Sequence, residues 1–230
     1  WWTEERCERL KDADPIAYQT DVLAEFTDIE ESLLSQYLDS STREEMVLDP
    51  SEAQEYVASM DPGTRSNAWT LVIATRKRNK KIIVLCKQWQ GTPLEPLRPR
   101  NVLMEAAQIC YKYNCAWAYT DQFAADALKD LAANYGLELV IEPWTKKNKV
   151  ELFMELATQF QQGNVEIPPD QYLLKDLRMV KRRVTQSGIA IHFPNTADKR
   201  HCDYAPAIAR ALGKWISDVI VEAPLPGQKG

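Results

Sequence analysis

The sequence predicts an α/β domain: a mixed sheet that opens with three antiparallel strands, continues as alternating strands and helices, and is flanked by helices on both faces. Three observations predict it. Three strand-like runs follow one another between residues 56 and 89, joined by short polar links. Beyond residue 91, short apolar runs alternate with stretches of helical periodicity. A chain of 230 residues with 45% hydrophobic content is also long enough to bury one full core.

The elements follow in order. Residues 15–38 read as helix, with Asp14 as N-cap, Pro15 at the first helical position, and Ile16, Val22, Leu23, Phe26, Ile29, Leu33, Leu34, Tyr37 and Leu38 at helical spacing. Residues 40–52 are polar and read as a linker. The boundaries expected are therefore an N-terminal helical segment over 1–50, the α/β domain over 51–223 and a flexible tail over 224–230. Tyr56 to Met60 is a short apolar run that stops at the turn signal Asp61-Pro62-Gly63. Ala68 to Thr75 is a second strand, Arg76 to Lys81 a polar hairpin connection, and Ile82 to Trp89 a third strand. Gly91 to Pro99 holds three prolines and is a loop. Helices are then expected over 101–113, 122–135 (closed by Gly136), 148–162 (closed by Gly163), 171–183 and 199–221, with strands over 115–120, 137–141 and 189–193. Trp117, inside the fourth strand, is expected in the core.

Several classes are excluded at once. No apolar run approaches the roughly 18 residues that span a bilayer, so no membrane partner is expected. Trp1 to Glu5 carries neither a basic region nor an apolar core, so it is not a secretory signal, and a chain that does not begin with Met reads as a piece of something longer. The cysteines (Cys7, Cys86, Cys110, Cys115 and Cys202) are odd in number and form no Cys-x-x-Cys pair, which points to reduced, buried thiols rather than a zinc ribbon or a disulfide frame. Two histidines, His192 and His201, are too few for a histidine-based metal site. Net charge is −5, but residues 1–50 hold 14 acids against 4 bases; the remainder is mildly basic, which suits loose binding to a polyanion.

The order of three antiparallel strands followed by alternating elements is that of the ribonuclease H fold. Fold alone does not give function. In that fold the first and fourth strands are neighbours, so Asp61 and Asp121, which close them, emerge at the same sheet edge, and Asp203, at the start of the last helix, can cross it. Singly, each has an ordinary structural reading, as turn former, N-cap or helix-dipole partner. Together they form a set that repels itself unless divalent cations neutralise it. Carboxylate oxygens suit Mg²⁺ or Mn²⁺. Two such ions, roughly 3.5–4 Å apart, would activate water and steady a leaving 3′ oxygen in phosphodiester cleavage. Asp126, Asp198 and Glu142 are candidate substitutes or auxiliaries, Asp198 standing closest in sequence to Asp203.

The same residues resemble the nuclease domain of the large terminase subunit of tailed bacteriophages, the motor that packages viral DNA. Asp61-Pro62-Gly63 is similar to that family's opening acid, and Tyr119-Thr120-Asp121-Gln122 with Gly136 to its second acidic motif. Thr145 with Lys149 resembles its Thr…Lys element, and Gln162 to Pro168 its short strand after a glycine. His201-Cys202-Asp203-Tyr204-Ala205-Pro206-Ala207-Ile208-Ala209 resembles its His-Asp-Asp-x-x-Asp-Ala-x-Ala ending, with Cys202 and Pro206 where the family has acids and His201 as a candidate auxiliary. Asp14 to Phe26 is similar to the stretch that ends the family's ATPase domain. The resemblance implies a Mg²⁺- or Mn²⁺-dependent DNA endonuclease with two ions, cutting concatemeric viral DNA in the host cell cytoplasm. It implies double-stranded DNA, the ATPase domain of the same polypeptide, the small terminase subunit and the portal as partners. No phosphate-binding loop is present: before the Gly213-Lys214 pair, Ile208 stands where the first glycine is needed, and Trp215 follows where a hydroxyl is needed.

Candidate phosphate contacts are Lys149, Lys199 and Arg200, which accompany the acids, and Arg76 and Arg78 in the hairpin. Further basic residues are Lys146 and Lys147, and the run from Arg178 to Arg183. Two other functions stay open at this point. One is a non-catalytic module of the motor that grips DNA or docks on the portal; the other is a different enzyme of the same fold, such as a junction resolvase or transposase.

Overall fold

The computed structural model describes residues 3–13, 18, 30–65, 67–122, 125–185, 188–194 and 201–216. Through these the chain runs α1 (Glu4–Ala13), β1 (Glu30–Ser32), α2 (Ser35–Ser41), β2 (Tyr56–Asp61), β3 (Trp69–Lys77), β4 (Lys80–Trp89), α3 (Pro99–Lys112), β5 (Trp117–Thr120), α4 (Ala125–Ala133), β6 (Glu138–Ile141), α5 (Lys146–Gln161), β7 (Val165–Glu166), α6 (Gln171–Met179), β8 (Lys181–Thr185), β9 (Gly188–His192) and α7 (Tyr204–Gly213).

Six strands form one mixed sheet in the order β6-β5-β2-β3-β4-β7. The β2-β3-β4 meander is antiparallel, and β5 joins β2 in parallel, so the first and fourth strands of the expected order are indeed neighbours. The middle strands are buried on both faces, as a sheet covered by helices requires. Along β3 the side chains alternate: Leu71 and Ile73 enter one core with α3 and α4, while Val72 and Ala74 enter a second with α2, α5, α6 and α7. Helix α7 lies over β2 and β3. This is the ribonuclease H-like arrangement.

The last helix, expected over 199–221, is helical among the described residues only from Tyr204 to Gly213, and the structure departs from the sequence reading in three further places. Residues 30–32, expected as helix, are the strand β1; the rest of the expected helix up to residue 29 lies outside the described residues, save Tyr18. The helix expected over 171–183 stops at Met179, and Lys181 to Thr185 turns into strand β8. β1, β8 and β9 form a separate antiparallel sheet, tied by cross-strand ion pairs between Arg182 and Glu31 (2.5 Å), and between Lys181 and Glu30 (2.9 Å). These tertiary pairs, not local periodicity, decide the conformation. Trp117 is 39% exposed rather than in the core. It shares a strand face with Tyr119, and the Lys214 ammonium covers the Tyr119 ring (3.6 Å) at the other end of that short face.

Residues on the N-terminal side of the boundary expected at 50/51 contribute to the same core. Leu34 and Leu38, flanking and within α2, are fully buried against β3, β4 and α5 to α7.

Candidate active site

Asp61 is the last residue of β2 and Asp121 the first residue after β5. The parallel register pairs Ser59 with Tyr119, so two residues further on Asp61 stands level with Asp121. On its other side Asp61 pairs with Thr70 of β3. Asp203 reaches the same end from α7. Its carboxylate Oδ2 accepts the Ala68 backbone N–H at 2.9 Å, and the Thr70 hydroxyl donates to its carbonyl at 3.0 Å. The three predicted acids are thus delivered by β2, β5 and α7 to one end of the sheet.

The positioning of Asp203 is overdetermined. It occupies the N-cap of α7, yet its side chain makes no cap hydrogen bond and turns to Ala68 instead. The helix N-terminus is capped from α6, where the buried Asp176 accepts the Tyr204 N–H at 2.9 Å. Cys202, just before it, has a left-handed backbone (φ 57°), a conformation that non-glycine residues adopt only when their surroundings hold them there. Gly63 explains the Asp61-Pro62-Gly63 sequence: a Cβ there would lie 2.5 Å from the Asn67 carbonyl oxygen and 2.6 Å from that of Ala68. Only glycine lets this loop approach the backbone that anchors Asp203.

The electrostatics link the three acids. The half-buried Asp61 carboxyl is raised from 3.8 to about 7, first by burial; Arg210 opposes the rise, Asp121 and Asp203 add to it, and Lys149 opposes it. Lys149, in the first turn of α5, has its ammonium 3.6 Å over the Phe193 ring; burial lowers its pKa while Cys202 and Asp61 hold it up. Its place follows from Thr145, which is the helix N-cap and forms a reciprocal capping box with Asn148.

Sequence reasoning missed Arg210. This guanidinium is 3% exposed, donates from Nη1 to the Met60 carbonyl at 3.3 Å and lies 4.9 Å over the Trp144 ring. Burial lowers its pKa, while Asp61, Asp121 and Glu142 favour its charge. The signal was present: Arg210 is the lone charged residue in Tyr204–Gly213. Glu142, the auxiliary candidate, forms a short ion pair with Lys214.

Other predicted residues stand elsewhere. Arg76 and Arg78 lie at the opposite end of β3 from Thr70, about 20 Å away at strand rise, so the structure does not bring them to the acids. Asp126 is exposed on α4. His201 is half-buried, two residues before Asp203. Asp198, Lys199 and Arg200 lie outside the described residues. Among the described residues, no group of three or more His, Cys, Asp or Glu side chains stands arranged to hold a metal ion. The acids are assembled at one sheet end without being closed around one point. Their chemistry nevertheless fits a hard divalent cation, and the raised Asp61 carboxyl, pushed up first by burial and then by the other two acids, is a perturbation of the sign a cation relieves.

A ribonuclease H-like fold with acids at the ends of adjacent parallel strands and at the head of the crossing helix defines the class of this molecule. Within that class its fold is that of the nuclease domain of phage large terminases. The large terminase nuclease of thermophilic phage G20c with bound magnesium superposes with a TM-score of 0.65 at 18% identity, over 80% of this chain and 97% of that one. The large terminase nuclease domain of Thermus phage P74-26 gives 0.63 at 20% identity, over 82% and 97%. The large terminase of bacteriophage HK97 gives 0.68 at 14% identity, over 93% of this chain and 51% of that one, so this chain spans about half of that protein. The G20c nuclease has also been solved with cobalt and with zinc bound. No protein-family model and no curated protein sequence matches the chain.

Proposed function

We infer that this chain is a metal-dependent endodeoxyribonuclease domain, a hydrolase that cuts concatemeric viral DNA during genome packaging. The observation that carries the reading is the convergence of Asp61, Asp121 and Asp203, from three separate elements, at one end of a sheet with the terminase nuclease fold. Fold without the acids would leave function open, and the acids without the fold would be ordinary turn and cap residues.

Asp61, Asp121 and Asp203 would hold two Mg²⁺ or Mn²⁺ ions. When bound, such ions supply a water acidic enough to attack a phosphodiester at neutral pH and a charge that steadies the leaving oxygen. The remaining work falls to the chain. The Ala68 N–H fixes the orientation of the Asp203 carboxylate, and the Thr70 hydroxyl fixes its backbone. Lys149, held over Phe193 beside the acids, neutralises a DNA phosphate at the scissile region. Lys199 and Arg200 add contacts to flanking phosphates, and His201 is an auxiliary at the rim. In the intact packaging machine the domain would follow an ATPase domain of the same polypeptide and work with the small terminase subunit and the portal in the host cell cytoplasm. Of residues 1–50, expected as the connection between the two domains, only the part before β1 would serve as such, since Leu34 and Leu38 pack in the core of this domain; 224–230 would be a tail.

One observation favours a second reading, a non-catalytic DNA-gripping or portal-docking module: the described side chains form no ready-made metal-binding group. The two separate cleanly. Supercoiled plasmid incubated with the full chain and Mn²⁺ should be nicked and linearised, and Asp121→Ala should abolish cutting while leaving the circular dichroism spectrum unchanged. Equal cutting by the variant ends the site assignment. No cutting by the parent with Mg²⁺ or Mn²⁺ favours the gripping module.

A further inference from the structure

Burying a guanidinium is costly unless the protein supplies it with partners. Arg210 projects from a helix whose residues Tyr204 to Gly213 are all buried. Positions 203, 210 and 214 fall on one face of that helix, seven and eleven residues apart, so Asp203, Arg210 and Lys214 point the same way. Lys214 is committed to Glu142. Arg210 instead reaches the strand end itself: Nη1 donates to the carbonyl of Met60, the residue before Asp61, and Trp144 flanks its plane. Nη2 is buried with no hydrogen-bond partner among the described residues. A buried donor nitrogen without a partner, on a guanidinium tied to the residue before Asp61, is a group able to take up an acceptor.

The geometry points to Arg210 as the resident counter-ion of the acid cluster, a positioning residue anchored to the Met60 carbonyl whose charge steadies Asp61 and Asp121 at the strand ends until a divalent cation takes over that role. The inference rests on the nuclease reading of the three acids. It offers a reason why the acids can be gathered yet not closed around one point: a fixed positive charge is anchored at the Met60 carbonyl, one residue before Asp61. A cation entering beside Arg210 meets its repulsion, so the guanidinium weakens metal binding while it keeps the ligands assembled.

The test measures Mn²⁺ binding to the full chain by titration calorimetry, with thermal stability read alongside. Arg210→Met should bind Mn²⁺ roughly tenfold more tightly than the parent, and Arg210→Lys, which keeps the charge, should stay within about threefold of it. In metal-free buffer Arg210→Met should lower the melting temperature, and Asp61→Asn should restore part of that loss. A side chain that merely fills space would give no such rescue and no gain in Mn²⁺ affinity; either result overturns the proposal. Should Arg210→Met fail to fold, the double variant Asp61→Asn/Arg210→Met decides: folding supports the counter-ion, and failure to fold refutes it. Asp121→Ala separates the two levels of inference. Its retention of full Mn²⁺ affinity would remove the nuclease reading itself, whereas lost affinity there with unchanged affinity in Arg210→Met removes the counter-ion alone.

Discussion

Asp61→Asn should flatten the pH dependence of stability in the metal-free chain. In the folded protein the Asp61 carboxyl stands at about 7 instead of 3.8, chiefly because burial disfavours its charge. The native state therefore binds more protons than the unfolded chain between about pH 4 and pH 7, and stability falls as pH rises through that window. Below it both states are protonated and the group costs nothing; above it the penalty is complete. At about 1.4 kcal/mol per pH unit, a separation of about 3 units sets a ceiling of about 4 kcal/mol. Asp61 is only half-buried, and solvent screening reduces the expected effect to roughly 1–2 kcal/mol.

Urea denaturation in EDTA at pH 5 and pH 8 measures this directly. The parent should lose roughly 1–2 kcal/mol more than Asp61→Asn between the two, a difference of about 0.5–1 M in midpoint at a typical slope of about 2 kcal/mol per molar. Comparing parent with variant cancels the other groups that titrate in the same range. Because a proton and Mn²⁺ compete for the same oxygens, Mn²⁺ affinity of the parent should also fall below pH 7. Identical pH slopes in parent and variant would falsify the claim that burial holds the Asp61 carboxyl well above its ordinary value.

Three further outcomes are expected. Gly63→Ala should cost about 1–3 kcal/mol and most of the cleavage rate, since the new methyl meets the Asn67 and Ala68 carbonyls and so displaces the anchor of Asp203; unfolding and plasmid-nicking assays check both. Thr70→Val, nearly isosteric, strips the hydroxyl from the buried Asp203 carbonyl and should cost about 1–3 kcal/mol in urea denaturation; a cost near zero would mean that bond does not position Asp203. Leu38→Ala, in the core shared by α2, α5, α6 and α7, should cost about 2–5 kcal/mol; a loss under 1 kcal/mol would show α2 to be a dispensable appendage rather than part of the domain.

What could be read from the sequence follows from where local signals coincide with long-range ones. Asp61 is legible because an apolar run of strand length breaks at Asp-Pro-Gly, and Asp121 because it closes a second short apolar run ahead of a helical stretch; sheet order then makes them neighbours. Asp203 is legible from its place at the start of the last predicted helix, and the motif resemblance reinforces it. The strands β1 and β8 were illegible for a physical reason: Glu30-Glu31-Ser32 and Lys181-Arg182-Arg183 carry no apolar alternation, and their extended form is set by one another's opposite charge. Arg210 was passed over because a single arginine in a helix ordinarily faces water. Its neighbours Ala207, Ile208, Ala209, Ala211 and Leu212 leave no polar face on α7, and that was the overlooked clue.

The burial of α7 ties chemistry to packing. A charge on a solvated helix can find water whatever the helix does, but Asp203 and Arg210 stand on one whose every residue from 204 to 213 is covered. Each must therefore be held by protein groups at fixed positions: Asp203 by the Ala68 N–H, and Arg210 by the Met60 carbonyl, with the nearby acids favouring its charge. The two hydrogen-bonding groups belong to β2 and to the residue just before β3, the strands on which α7 rests. A shift of the helix along the sheet would break both sets of contacts together, leaving two buried charges uncompensated, a far greater loss than any single apolar contact would cause. The core thus holds the helix against the sheet, while the charges fix its position along it, and the register that satisfies them is the one that sets Asp203 beside Asp61.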